Sequence, residues 1–280
     1  IKKDLFAHHF QNKMIGLFLG DTDFSETVLK KIKKLKKEYF IIDFSKNNKF
    51  KKEINSYRIS IGKFGKIISL IKEKKSKKVL FAGKIAKPKF STLRLDLKGV
   101  YYMPGIIRAA KLGDAAIIKA IIKILDNENI KVISSIFFNP ELALKSGNYT
   151  KLKPNKSDSN SIKKGITYFN KLNSLDHVQA VIVKDNTILA IEDRQGTKKM
   201  LSRLNKESEG ILIKLPKKKQ DLRIDLPTIG LQTLKDCKKY GLKGIILKSK
   251  KNIILDKRKC INFANKNKIF IKIIWKKYLF

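Results

Sequence analysis

The stretch "MIGLFLGDTDFSETVLKKIKKLKKEYFIIDF" (14–44) holds the pattern on which the fold prediction rests. Residues 14–19 form an apolar run, which is typical of a strand buried on both faces. Apolar residues then recur at helical spacing between 28 and 35, and Ser25 stands where an N-cap belongs. A second apolar run follows at 40–44. A strand, an amphipathic helix and a strand in this order predict a βαβ unit with parallel strands.

The alternation continues along the chain. "KKVLFAG" (77–83) indicates a third strand, and "GDAAIIKAIIKILDNENI" (113–130) is the clearest helix, with Asp114 at a cap position. Residues 139–161 are rich in Pro, Ser, Asn and Gly, as expected of a boundary region. Beyond it, two strand-like runs flank a turn at 184–187, which indicates a hairpin. The sequence therefore predicts two α/β domains.

Length and composition narrow the class of protein. A chain of 280 residues with 42% hydrophobic residues can bury large cores and usually divides into two domains. No apolar run approaches the ~18–20 residues that span a bilayer, and the first 13 residues lack the apolar core of a signal peptide. Two cysteines, Cys237 and Cys260, have neither the number nor the spacing of a disulfide framework. We expect a soluble, cytoplasmic protein.

The charge is extreme, with 64 Lys+Arg against 24 Asp+Glu and a net charge of +40. One hypothesis is a basic nucleic-acid-binding protein, for which affinity would fall steeply with salt. The lysines, however, are spread from end to end, and Lys, Ile and Asn are abundant together, as an AT-rich genome imposes. A solvated lysine surface that attracts an anionic substrate or membrane is the favoured interpretation, with no nucleic-acid partner.

Two glycine-containing turns are candidate anion sites. In "FAGKIAKP" (81–88), Gly83 permits close backbone approach and Lys84 offers a positive charge; a purely structural turn explains the pattern equally well. In "AIEDRQGTKKMLSR" (190–203), Glu192 ends a strand, and a helix opens near Gly196 and Thr197. Free N–H groups there suit a phosphate oxygen, although spacing alone favours an ordinary capped helix.

"QDLRIDLPTIG" (220–230) is the strongest chemical signal. Asp221 and Asp225 offer hard oxygen ligands for Mg²⁺, and Arg223 offers a fork for a phosphoryl oxygen. In an extended chain these three side chains would share one face. A surface strip of Asp–Arg–Asp ion pairs is about equally compatible with the residues alone. The motifs of P-loops, nucleophile elbows and zinc proteases do not occur, which disfavours those chemistries.

Taken in order, the stretches "AGKIAKP", "KLGDAAIIKAI", "PELALKSGNYTKLKP", "LDHVQAVIVKDNTILAIE", "QGTKKMLSR" and "ILIKLPKKKQDLRIDLPTIGLQTL" form a specific set. The set resembles the LpxI-type UDP-2,3-diacylglucosamine pyrophosphatases of lipid A biosynthesis, over nearly the whole chain. The resemblance implies a Rossmann-like N-terminal domain (14–135) and a distinct α/β catalytic C-terminal domain (136–280). It implies a homodimer at the inner face of the inner membrane, acting with Mg²⁺ on a lipid-linked sugar nucleotide.

The resemblance also implies roles for particular residues. Hydrolysis to UMP and 2,3-diacylglucosamine 1-phosphate would use water attack on the phosphorus nearer the sugar. Asp225 is the first choice as metal ligand or water-orienting base, Asp221 the second, and Arg223 would hold a phosphoryl oxygen. Glu192 is a further acidic catalytic candidate. The predicted substrate-binding residues are Gly83, Lys84, Gln179, Gly196, Thr197, Lys198 and Thr228.

One departure from the family pattern carries an alternative. The family usually has Glu-Gly-Thr-Asp where this chain has Gln195-Gly196-Thr197-Lys198. The site would be three charges more positive, and Lys198 would meet a phosphate as a point charge. The alternative is a diverged, weakly active homologue that binds a diacylated sugar phosphate.

Overall fold

The computed structural model describes residues 14–172, 178–218 and 220–275. The chain divides into two units, which meet in sequence between Asn139 and Pro140.

The N-terminal unit is built on a parallel sheet of order β3-β2-β1-β4-β5. Its strands are β1 (Ile15–Leu19), β2 (Tyr39–Asp43), β3 (Ser56–Tyr57), β4 (Lys78–Ala82) and β5 (Lys131–Val132). β1 lies in the centre, pairs in parallel with β2 and β4, and is buried along its whole length. The strand order reverses between β1 and β4, as in doubly wound folds. The predicted Rossmann-like α/β arrangement is confirmed.

Four α-helices connect these strands: α1 (Asp23–Lys34), α2 (Phe64–Glu73), α3 (Leu97–Leu112) and α4 (Asp114–Asn127). Phe90–Thr92 and Pro140–Leu142 form short 3₁₀ turns. The apolar stripe predicted for α1 is buried, through Val28, Leu29 and Ile32. Helix α4 begins one residue after Gly113, which is its N-cap in place of Asp114.

The prediction that Ser25 caps α1 is wrong. Thr22 is the N-cap, and Ser25 is a buried residue of the first turn. The Ser25 hydroxyl lies 2.8 Å from the carbonyl oxygens of both Gly20 and Ala82, and therefore ties the end of β4 to the turn after β1. Gly83, at φ +84°, allows this approach, because a Cβ there would stand 2.0 Å from the Ser25 hydroxyl.

Helix α3 is absent from the sequence prediction because it contains Gly99, Pro104 and Gly105, which usually interrupt helices. Its start is fixed by Asp96, whose carboxylate accepts hydrogen bonds from the N–H groups of Gly99 (2.8 Å) and, in α2, Lys66 (2.9 Å). Burial disfavours the Asp96 charge, but these backbone bonds outweigh it and hold the pKa of the carboxyl below its usual value. One acid thus caps two helices.

A second carboxylate holds α2, α3 and the end of α4 together. Glu128 forms ion pairs with Lys72 (2.7 Å) and Lys98, and it accepts a hydrogen bond from the Tyr102 hydroxyl at 3.0 Å. The bonds from Lys72 and Lys98 lower the pKa of Glu128 to about 2. Its charge is therefore retained far into the acid range.

Glu128→Gln should lower the free energy of unfolding by about 1–2 kcal/mol at pH 7, because both lysines are half exposed and their pairs are partly screened. Since the folded-state pKa lies below the unfolded value, this stabilisation is present above about pH 4.5 and lost as pH falls toward 2. Denaturant titrations from pH 7 to pH 2 would measure it. Glu73→Gln is the matched control, since Glu73 is largely exposed and should give a small difference. An equal loss in both variants would contradict the prediction.

The C-terminal unit holds a mixed sheet of order β6-β13-β11-β9-β7-β8 and a two-stranded pair, β10-β12. The strands are β6 (Gly147–Asn148), β7 (Ala180–Lys184), β8 (Thr187–Ile191), β9 (Ile211–Lys214), β10 (Thr228–Ile229), β11 (Gly244–Lys248), β12 (Ile253–Ile254) and β13 (Phe270–Ile274). β9, β11 and β13 run parallel, whereas β7 and β8 form an antiparallel hairpin on one side. The predicted hairpin is confirmed, with Asp185 and Asn186 at positive φ as its turn residues.

Helices cover both faces of this sheet: α5 (Lys156–Leu172), α6 (Thr197–Leu201), α7 (Leu231–Lys239) and α8 (Lys257–Lys266). Phe169 of α5 packs in one apolar cluster, whereas Leu234 of α7 and Ala264 of α8 pack in the other. The second cluster also contains Cys237 and Cys260, which are buried free thiols. Along the described ranges, no helix has the length and apolar character to cross a membrane.

Candidate active site

A lysine is buried at the end of β9. All four residues of β9 are buried, and Lys214, the last of them, is 8% exposed. The Lys214 backbone carbonyl accepts a hydrogen bond from the Asn252 side chain at 3.0 Å. An ammonium group in such a position requires compensating partners, because its transfer out of water is strongly unfavourable.

The compensation is a chain of hydrogen bonds. Lys214 Nζ donates to Thr197 Oγ1 at 2.7 Å, and the Thr197 hydroxyl donates to Glu192 Oε1 at 2.6 Å. The other carboxylate oxygen, Glu192 Oε2, accepts the backbone N–H of Gln179 at 2.8 Å. Glu192 is buried, so these bonds satisfy a carboxylate that solvent barely reaches.

The electrostatics of this cluster centre on Lys214. Burial lowers the pKa of its ammonium group, while the negative charges of Glu192 and Asp225 oppose that effect. The charges of both acids therefore favour the ammonium form of Lys214. A buried ammonium group whose pKa is perturbed by burial and by two nearby carboxylates is typical of functional sites.

The structure brings three strands together at this point. Ala180 of β7 faces Lys214 of β9, and the Glu192 N–H donates to the Ala180 carbonyl at 2.9 Å. Gln179 directly precedes β7, Glu192 directly follows β8 and Lys214 ends β9, so adjacent strands of one sheet position all three. The site does not depend on a long loop for the placement of its buried charges.

The "QDLRID" segment is a helical turn and not an extended strand. The Asp225 N–H donates to the Asp221 carbonyl at 2.9 Å, four residues earlier. The shared face that an extended chain would give to Asp221, Arg223 and Asp225 does not form. Instead the Arg223 guanidinium donates hydrogen bonds to both Asp221 oxygens, at 3.0 and 2.8 Å. The charge of Asp225 raises the pKa of Lys214, against the effect of burial.

The other predicted site residues occupy varied positions. Gly196, at φ +86°, is the N-cap of α6, so the predicted helix start there is confirmed. Lys198 is exposed on the first turn of α6, and the Thr228 hydroxyl bonds the Leu226 carbonyl at 2.9 Å. Gly83 and Lys84 belong to the N-terminal unit, where Lys84 is exposed and its carbonyl accepts the Asp21 N–H.

Sequence analysis did not identify Lys214. The signal was present, since Lys214 is a single charge inside the apolar run "GILIKL" (210–215). In a chain with 64 Lys+Arg, the presence of a lysine does not by itself indicate a functional residue. Its place as the last residue of a strand that is buried along its whole length is the feature that distinguishes it.

The carboxylates near Lys214 can be compared with the ligands that the predicted Mg²⁺ would need. Within residues 14–172, 178–218 and 220–275, no group of three or more His, Cys, Asp or Glu side chains is placed to hold a metal ion. Both oxygens of Glu192 accept hydrogen bonds, and both oxygens of Asp221 face Arg223. Mg²⁺ commonly binds one or two carboxylates and completes its shell with water and substrate phosphates. This mode does not require the group of three or more ligands that the described ranges lack.

Together, the fold and this cluster define a two-unit α/β protein with a buried Lys–Thr–Glu network. The family model of the LpxI N-terminal domain matches residues 14–142, and that of the LpxI C-terminal domain matches residues 145–272. A curated relative from Caulobacter vibrioides, a UDP-2,3-diacylglucosamine pyrophosphatase LpxI, is 30% identical over 223 residues. The aligned region covers 76% of this chain and 80% of the relative. The chain belongs to the LpxI family.

The Thr197 hydroxyl should be essential to the network because it both accepts from Lys214 and donates to Glu192. Thr197→Val keeps the shape but leaves both buried charges without that partner, and should lower the free energy of unfolding by about 2–3 kcal/mol. Thr197→Ser is the matched control and should lose less than about 1 kcal/mol, since it keeps the hydroxyl. Chemical denaturation measures both. Equal losses would mean that the methyl packing, and not the hydroxyl, matters.

Proposed function

We propose that the protein hydrolyses UDP-2,3-diacylglucosamine to 2,3-diacylglucosamine 1-phosphate and UMP. The observation that carries the proposal is the buried Lys214, bonded through Thr197 to Glu192 and acted on by Asp225. A diphosphate ester needs positive charge where its oxygens lie and a carboxylate near the attacking water. Family membership and the name of the Caulobacter vibrioides relative support this substrate.

The residues then take distinct roles. Lys214 binds an oxygen of the diphosphate. Its hydrogen bond to Thr197, which in turn bonds Glu192, fixes the orientation of the Lys214 ammonium group. Asp225 orients the attacking water and accepts its proton as oxygen bonds to the phosphorus nearer the sugar. The bond from that phosphorus to the bridging oxygen breaks, and UMP leaves with the electron pair. Arg223, steadied by Asp221, steers a phosphoryl oxygen.

Mg²⁺ is part of the proposal. Asp225 is the carboxylate that would hold the ion, together with oxygens of the substrate, and the ion would neutralise the diphosphate charge. Asp221 is a weaker candidate because Arg223 engages both of its oxygens. Backbone groups near Gly196 and the side chains of Gln179 and Thr228 are proposed to contact the substrate.

The setting of the reaction is also proposed. The diacylated substrate belongs to a membrane, and a net charge of +40 would draw the protein to an anionic surface. We therefore place the activity at the cytoplasmic face of the inner membrane, with the protein acting as a homodimer. Lys84 and Gly83, at the carboxyl end of β4, remain substrate-binding proposals.

A second candidate function rests on residues 195–198. Lys198 is exposed, and the neighbouring Gln195 accepts a hydrogen bond from Arg203 at 3.3 Å, while Arg203 also pairs with Asp193. The segment is therefore basic where the family usually carries two acids. This observation favours a weakly active homologue that retains binding of a diacylated sugar phosphate.

The proposal is tested by UMP release from UDP-2,3-diacylglucosamine. Asp225→Asn should lower kcat at least about a hundredfold, because it removes the proton acceptor without changing the shape of the side chain. Asp185→Asn is the matched control, since Asp185 lies exposed in the hairpin turn, and it should retain full activity. EDTA should abolish release and added Mg²⁺ restore it. Activity in Asp225→Asn comparable to that of the wild type would refute the assignment.

Lys198→Asp separates the two candidate functions. If Lys198 serves the reaction, the wild-type protein should turn over the substrate and Lys198→Asp should have a lower kcat/KM. If the wild-type protein binds 2,3-diacylglucosamine 1-phosphate without turnover, the weakly active homologue is supported. Recovery of UMP release in Lys198→Asp would then identify the lysine as the cause.

A further inference from the structure

A basic cleft lies in the N-terminal unit. It has a volume of about 400 Å³, within the range of small-molecule sites. Four cations line it: Arg58, Lys63, Lys66 and Arg94. The hydroxyls of Ser60 and Thr92 add hydrogen-bonding groups, and none of the described residues in its lining is acidic. No residue of the Lys214 cluster is among those that line the cleft.

The topology gives this cleft a particular position. Arg58 directly follows β3, and its guanidinium donates to the carbonyls of Asp43, at 3.2 Å, and Ser45, both at the end of β2. Lys63 and Lys66 lie at the start of α2, which follows that edge of the sheet. The cleft therefore opens at the carboxyl ends of parallel strands, where open α/β sheets usually bind ligands.

The charge of the cleft is incompletely balanced. Arg58 pairs with the buried Asp43 at 3.6 Å, so its charge is partly offset and its position is fixed. Over the part of the chain that the structure describes, no carboxylate lies within ion-pair distance of Lys63, Lys66 or Arg94. The N–H groups of α2 do not add to the attraction, because Asp96 accepts those of Gly65 and Lys66. The side chains alone make the site.

The residue types argue against a random patch of lysines. Only 7 of the 64 basic residues in the sequence are arginines, and two of those seven line this one cleft. Arginine presents a planar fork that matches phosphate oxygens in pairs, whereas lysine offers a point charge. An arrangement of two guanidinium and two ammonium groups suits a ligand with more than one negative charge.

We propose that this cleft binds a phosphate-bearing anion of at least two negative charges, such as a diphosphate or phosphomonoester group. The source is either a soluble phosphorylated compound or the headgroup of an anionic phospholipid. The lining of the cleft shares no residue with those proposed to bind or hydrolyse the substrate.

Calorimetric titration with inorganic diphosphate tests the proposal. The double variant Lys63→Gln/Arg94→Gln should bind at least about tenfold more weakly than the wild-type protein, because it removes two charge-assisted contacts. The matched control is Lys119→Gln/Lys123→Gln, which removes the same charge from two exposed positions of α4 and should change affinity less than about twofold. Any second diphosphate site contributes equally to all three proteins.

Cosedimentation with vesicles identifies the source of the anion. A specific loss of binding to phosphatidylglycerol vesicles in the cleft variant, with no binding to phosphatidylcholine, assigns a lipid headgroup. A specific loss with diphosphate alone assigns a soluble ligand. The proposal is overturned if the cleft variant and the control behave alike with both probes, because diffuse surface charge would then explain all binding.

Discussion

The buried ammonium group of Lys214 is the constraint on which the C-terminal unit depends. A charge in that position is tolerated only when its partners are fixed, because the interior offers little solvation. Thr197 must present its hydroxyl to Lys214 and to Glu192, and the Gln179 N–H must face the second oxygen of Glu192. The starts of α6 and β7 and the end of β8 are therefore coupled to one side chain.

The N-terminal unit uses its few acids in the same manner. In a chain with 24 acidic residues, Asp96 caps two helices and Glu128 connects three. Asp43, fully buried, accepts the N–H groups of Ser45 and Phe50 and orders the segment after β2. Each acid compensates several donors at once. The excess of 64 Lys+Arg over 24 Asp+Glu leaves most basic residues without an acidic partner.

The parts of the fold that the sequence predicted are those specified by local pattern. Runs such as 14–19 and the turn at 184–187 carry their own signal, because apolar continuity and positive-φ turn residues need no distant partner. Helix α3 was missed because Pro104 and its neighbouring glycines conceal a helix that tertiary packing stabilises. The conformation of residues 221–225 was missed because a hydrogen bond four residues apart, and not side-chain spacing, sets it. Lys214 was missed because its role depends on residues distant from it in sequence or outside its strand, namely Thr197, Glu192 and Asp225.

The adjacency of β8, β7 and β9 has a consequence for how such a protein changes over time. Glu192, Gln179 and Lys214 move only if the sheet moves, so the charged centre is insulated from insertions and substitutions in its surroundings. The segments that follow β8 and β9 are restricted in this way at Glu192, Thr197 and Asp225, and their other positions are not. Substitutions that alter the substrate range can therefore accumulate at the other positions of those segments while Glu192, Gln179 and Lys214 stay in place. Lys198, in the first turn of α6, is such a position.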